Sequence, residues 1–218
     1  MTYTEPAQML DLSAARPAFE RLTAFVKAAG AAENASTDSS AATDSASASS
    51  SASGSVPGTG PQLIDPDETA AQIPPVLQPL VDEFAGIHLD DDFEVNLVID
   101  ERTDLGPYTL LGDTDEYYPL FETADEAIIV TIADNGNAGG VWYIDEELGL
   151  HLLATSLPAY LEAVGNAIAA VGSDSGERVK MHLLSHAVST VNVLNTVEDL
   201  DARVQFIEDG QQARIVKG

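Results

Sequence analysis

Carboxylates are the residues of this chain best placed to do chemistry, and they come in clusters: Asp90-Asp91-Asp92, Asp113/Asp115/Glu116 and Asp145-Glu146-Glu147. Two carboxylates converging in a cleft with separated pKa values would serve general acid–base work. The sequence supplies density without any sign of convergence, and a solvated face accounts for the clusters more simply. Asp134-Asn135-Gly136-Asn137 superficially has the look of a calcium loop, but the ligand pattern of such loops places Gly136, Ala138 and Asp145 where oxygen donors and a bidentate glutamate are needed. A tight hairpin turn explains it better. His182 and His186 stand four apart, right for zinc if they lie on a helix, yet Leu183 replaces the catalytic glutamate of HExxH. With no cysteine and no clear third ligand nearby, they read as two ordinary histidines, and His88 and His151 as isolated structural ones. Gly136-x-x-Gly139-Gly140 leads into a strand and lacks a lysine, so it is no phosphate loop. Ser156 sits in no G-x-S-x-G elbow and is better placed as a helix cap. The expectation is therefore no catalytic residue, no metal and no cofactor. Trp142 and Tyr143 alternate on a strand, so one belongs to the core. The other, beside Asp145 and Glu146, is an anchor candidate for a partner, although burial of both is the commoner outcome.

The elements that must position these residues can be read from periodicity. Phe19, Leu22 and Val26 share one face of a helix with Ser13 as its N-cap, Pro17 in its first turn and Gly30 at its end. Such a helix either docks on the main domain, the more common outcome, or binds a partner. Residues 31–60 hold ten serines and eight alanines, and read as a flexible linker. Residues 75–85 suggest a short helix with Leu77, Leu80, Val81 and Phe84 as its stripe and Gly86 as its stop. Phe93, Val95, Leu97 and Ile99 alternate with polar residues as a half-buried strand does. Further strand-like runs follow at Tyr108–Leu111, Ala127–Ile132, Val141–Ile144 and Leu150–Leu153, separated by turn signals. Short strands with tight connections predict an antiparallel meander. A capped helix covers about 157–171, with Gly172 as its stop; residues 179–184 fit strand or helix; the C-terminal run resembles a hairpin turning at Asp209-Gly210. The division is 1–30, a helical segment; 31–60, the linker; and 61–218, an acidic α+β domain with an antiparallel sheet flanked by helices.

Composition narrows the partners. Thirty-six acidic residues face nine basic ones, for a net charge of −27. The imbalance is concentrated: residues 61–148 carry 22 acidic residues and one basic, Arg102. Such a surface repels phosphate, which excludes direct nucleic-acid binding, and anionic lipid surfaces are disfavoured for the same reason. A basic protein partner would be attracted and its encounter accelerated. Solvation alone is the competing explanation of the charge. No run of apolar residues is long enough to span a membrane, no signal peptide is visible, and cysteine is absent, which together suggest a cytoplasmic setting.

One stretch resembles a known family. IIVTIADNGNAGGVWYIDEELGLHLLATSLPAYLEAV (128–164) is similar to the SUKH superfamily, in which a strand, a polar glycine-bearing turn and a second strand of the pattern aromatic-Tyr-x-Asp-x-Glu precede a short strand and a capped helix. Trp142-Tyr143-Ile144-Asp145-Glu146 supplies the strand and Ser156-Leu157-Pro158-Ala159-Tyr160-Leu161 the helix start. The resemblance covers about residues 75–165. It departs from the pattern in lacking the usual Leu-Pro-x-x-Tyr opening and in carrying some 50 extra residues after the last helix. It implies an α+β fold, no catalysis, and a role as an immunity protein that neutralises a toxin, often a nuclease, or as a regulatory interaction module. Asp113, Asp115, Glu116, Asp145, Glu146 and Glu147, with Trp142 or Tyr143, are then the expected contacts for a basic partner. The alternative is a regulatory or chaperone-like adaptor that works through the N-terminal helix, its acidity serving only solubility.

Overall fold

The computed structural model describes residues 5–37, 60–65, 73–99, 116–123, 125–133, 135–146 and 149–190. Its elements are α1 (Leu12–Thr37), β1 (Gln62–Leu63), α2 (Gln78–Val81), β2 (Gly86–Asp90), β3 (Phe93–Asn96), β4 (Glu116–Glu122), β5 (Ala127–Ile132), β6 (Ala138–Ile144), β7 (Leu150–Ala154), α3 (Leu157–Val171), α4 (Gly176–Ser185) and β8 (Val188–Thr190). The architecture is α+β. The five strands β4 to β8 pair in sequence order, every pair antiparallel; the meander is as expected in kind, but the strand at Phe93–Asn96 belongs to the other sheet. Strands β1 to β3 form a separate antiparallel sheet.

Alternation along β5 and β6 sorts the side chains onto two faces. Ile128, Val130, Ile132, Val141 and Tyr143 share one core with Leu157, Tyr160, Leu161, Val164 and Ile168 of α3 and with Val179 and Leu183 of α4. Ala127, Ile129, Trp142, Ile144 and Leu150 form a second, smaller cluster on the other face. That double burial explains why Ala127–Val130 is continuously apolar; Thr131, the one polar residue of the strand, is buried with its hydroxyl donating to the Gly140 carbonyl at 3.3 Å.

Helix α1 docks on the main core through Ala15, Ala18, Phe19 and Leu22, and Phe19 stacks on Phe84 at 5.5 Å. Its boundaries differ from the expected ones. Asp11, not Ser13, caps it: the Asp11 carboxylate accepts the Ser13 amide and hydroxyl at 2.9 and 2.6 Å, and these bonds hold its carboxyl below the usual carboxylate range. The helix also runs through Gly30 to Thr37, so the expected linker begins seven residues too early. A glycine inside a helix costs only about 1 kcal/mol, and the alanines after it favour continuation. A β-carbon at Gly30 would meet no atom within 4 Å. Gly30→Ala is therefore expected to raise stability by about 0.5–1 kcal/mol, read as a higher urea midpoint. Residues 38–59 of the linker, the Tyr108–Leu111 run and the C-terminal hairpin lie outside the described residues.

Other boundaries shift for local reasons. Residues 75–85 contain only one turn of helix, Gln78–Val81, although Leu77, Leu80, Val81 and Phe84 are buried as their spacing required. Gly86 does not simply end it; it opens β2, a strand that periodicity missed. Strand β3 stops at Asn96, whose side-chain oxygen accepts the Val98 amide and turns the chain. Strand β4 was also missed, because Pro119 interrupts its pattern; the register shifts there, and the strand lies at the sheet edge, where proline is tolerated. Residues 179–184 are helical, within α4, whose N-cap Ser175 accepts from Arg178 N. The carboxylate of Asp90 pins the start of α4 to the β2–β3 turn by accepting the Gly176 amide at 2.6 Å.

Candidate functional site

The register of the large sheet decides which acids meet. Ala127 pairs with Ile144, so the turn before β5 and the turn after β6 lie at the same end of the sheet. The first turn is built by Thr123: its amide donates to the Glu126 carbonyl at 2.9 Å, and its hydroxyl oxygen accepts the amides of Asp125 and Glu126 at 3.4 and 3.2 Å. The second is built by Asp145, whose amide donates to the Gly149 carbonyl and whose Oδ1 accepts the Gly149 amide at 2.6 Å. Its Oδ2 accepts from His151 Nε2 at 2.8 Å. Between the turns lies a recess of about 440 Å³ lined by Thr123, Asp125, Glu126, Tyr143, Asp145 and Glu146.

Glu126 is the organised centre of this recess. One carboxylate oxygen accepts from the Tyr143 hydroxyl and the other pairs with the Lys180 ammonium of α4. Lys180 also sits over the Phe121 ring, 5.6 Å from its centroid. Only 14% of the Lys180 side chain and 19% of Glu126 reach solvent, so this pair is held in place, whereas Asp125 is exposed. Burial, the hydrogen bond to Glu126 and the nearby charges of Asp145 and Glu146 push the Tyr143 phenol far above its ordinary value. Full burial does the same to Tyr160 on α3.

Both phenols keep their protons in the folded chain at a pH where they lose them in the unfolded one, near 10. A group with a raised folded pKa contributes fully below its unfolded value and loses that contribution as pH climbs. Stability is therefore expected to fall as pH rises above about 10, and urea midpoints measured across that range should flatten when Tyr143→Phe and Tyr160→Phe are combined.

Among the described residues, four carboxylates of the recess stand against the one ammonium of Lys180. Asp125 and Glu146 enter no ion pair among the described residues. Such an arrangement can receive a cation, for instance an arginine or lysine side chain reaching in from a partner. Among the described residues, no group of three or more His, Asp or Glu side chains is arranged to hold a metal ion.

Of the expected contacts, Tyr143, Asp145 and Glu146 are brought together here. Glu116 is not: it pairs with Ile132, at the opposite end of β4 from Glu122 and the recess, roughly 20 Å away along the strand. Trp142 and Tyr143 are both buried, at 4% and 8% exposure, on opposite faces of the sheet. Trp142 is thus a packing residue and no exposed anchor. Asp113, Asp115 and Glu147 lie outside the described residues. Sequence reasoning overlooked Thr123, Asp125, Glu126 and Lys180. The Thr-x-Asp-Glu turn was a usable signal, since pairing the runs at 127–132 and 141–144 antiparallel already places it beside Asp145.

No helix among the described residues is long and apolar enough to cross a membrane. No family model, curated protein or solved structure matches this chain.

Proposed function

We propose that this chain is a non-enzymatic binding protein of the SUKH type, which takes a basic protein partner on the acidic end of its large sheet and neutralises a toxin domain as an immunity protein in the cytoplasm. The observation that carries the reading is the convergence of Asp125, Glu126, Asp145 and Glu146 from two separate turns into one recess. Carboxylates so placed would occupy the cationic groove of a nuclease in place of phosphate. Neighbouring charges of one sign repel each other, and the organised turns hold them together regardless. A partner that brings cations relieves that repulsion.

The alternative, an adaptor working through the N-terminal helix, would need other residues of α1 for its contact, because Phe19 and Leu22 are buried in the core. Deleting residues 1–60 would remove core side chains and so would not separate the two readings.

The test is binding of the purified chain to the product of the neighbouring gene, measured at increasing salt. The dissociation constant is expected to rise steeply with ionic strength. Binding indifferent to salt, or no binding to that product, would overturn the reading.

A further inference from the structure

His182 lies in the last turn of α4 and His186 caps its C-terminus. Residues four apart on a helix share one face, and here the two imidazole rings stand 4.8 Å apart between centroids, tilted by 48°. His186 is exposed and His182 half-buried, so both rings are open to solvent species.

Local hydrogen bonding decides which nitrogen of His186 holds the proton. The Ser185 hydroxyl donates to the His182 carbonyl at 2.7 Å, which uses its only hydrogen. His186 Nδ1 lies 3.0 Å from that hydroxyl oxygen and 2.9 Å from the same carbonyl oxygen. Two acceptors facing one nitrogen require it to carry the hydrogen, which leaves Nε2 with a free lone pair. Metal-ligating histidines are prepared in this way: one ring nitrogen donates to a backbone carbonyl, fixing the tautomer and making the other a better ligand.

We propose that His182 and His186 form a two-nitrogen capture site for a divalent transition-metal ion that prefers imidazole, with Cu(II) bound more tightly than Zn(II) or Ni(II). Water completes the coordination, since no third ligand converges among the described residues. The site is therefore an open surface chelate and neither a closed structural centre nor a hydrolytic one; Leu183 stands where a catalytic glutamate would be needed. A net charge of −27 raises the local concentration of cations around it.

The experiment is calorimetric titration of Cu(II) into the full chain and into His182→Gln and His186→Gln. It is run in roughly 0.3 M salt, so that surface carboxylates are screened. One equivalent is expected to bind, weakened roughly tenfold or more by either substitution, with excess Mg(II) having no effect. Unchanged urea midpoints establish that both variants are folded. A long-range proton–nitrogen spectrum of the metal-free chain should show His186 protonated at Nδ1. Binding unaltered in both variants, competition by Mg(II), or a proton on His186 Nε2 would each overturn the site.

Discussion

Gly86→Ala is expected to cost about 4 kcal/mol of stability, a large share of what a domain of this size possesses. Gly86 has φ +140°, a backbone conformation closed to residues with a β-carbon. Space is as restrictive as conformation: an alanine β-carbon would lie 2.0 Å from the Val95 carbonyl oxygen and 3.0 Å from Ile64 Cδ1. The first contact is with backbone and cannot be relieved by a rotamer change. Gly86 pairs with Asn96 across β2 and β3, and its carbonyl accepts the Ile64 amide at 3.1 Å, so relief would unpick the small sheet on both sides. The measurement is urea unfolding, with a lower midpoint and an unchanged slope. A midpoint within error of the parent would show that the β2 turn tolerates another conformation.

The second large effect concerns the recess. Asp125→Lys combined with Glu146→Lys is expected to weaken binding of a basic partner by about 100-fold or more, because two attractions become repulsions at one place. Neither carboxylate enters a described ion pair, so the fold should survive. Trp142, the one tryptophan, is buried, and its fluorescence reports the integrity of the sheet. The control is Asp91→Lys with Asp92→Lys, exposed residues of the β2–β3 turn, which alters net charge equally in the other sheet. Equal loss in both double variants would mean that total charge, and no particular surface, governs association.

Glu126 and Lys180 illustrate where sequence reading reached its limit. They are 54 residues apart in sequence and contact each other only because α4 packs into the same core as the sheet. No periodicity carries that information. Glu116, an expected contact, lies apart from the recess because a strand is stiff and six residues along β4 separate it from the end that forms the recess.

Local physics is what the sequence by itself determined. The Ser156 cap and Gly172 stop bound α3 at its observed limits, and the run Ala127–Ile132 is a strand end to end. Caps, β-branched runs and tight turns depend on neighbours a few residues away, so the strands at 127–132, 141–144 and 150–153 were legible too. The tertiary structure alone decided the register that sets Ala127 against Ile144, the burial of both Trp142 and Tyr143, and the helical state of residues 179–184. In each case the preference of the segment was balanced or silent. Packing against a distant element supplied the difference in free energy that settled it.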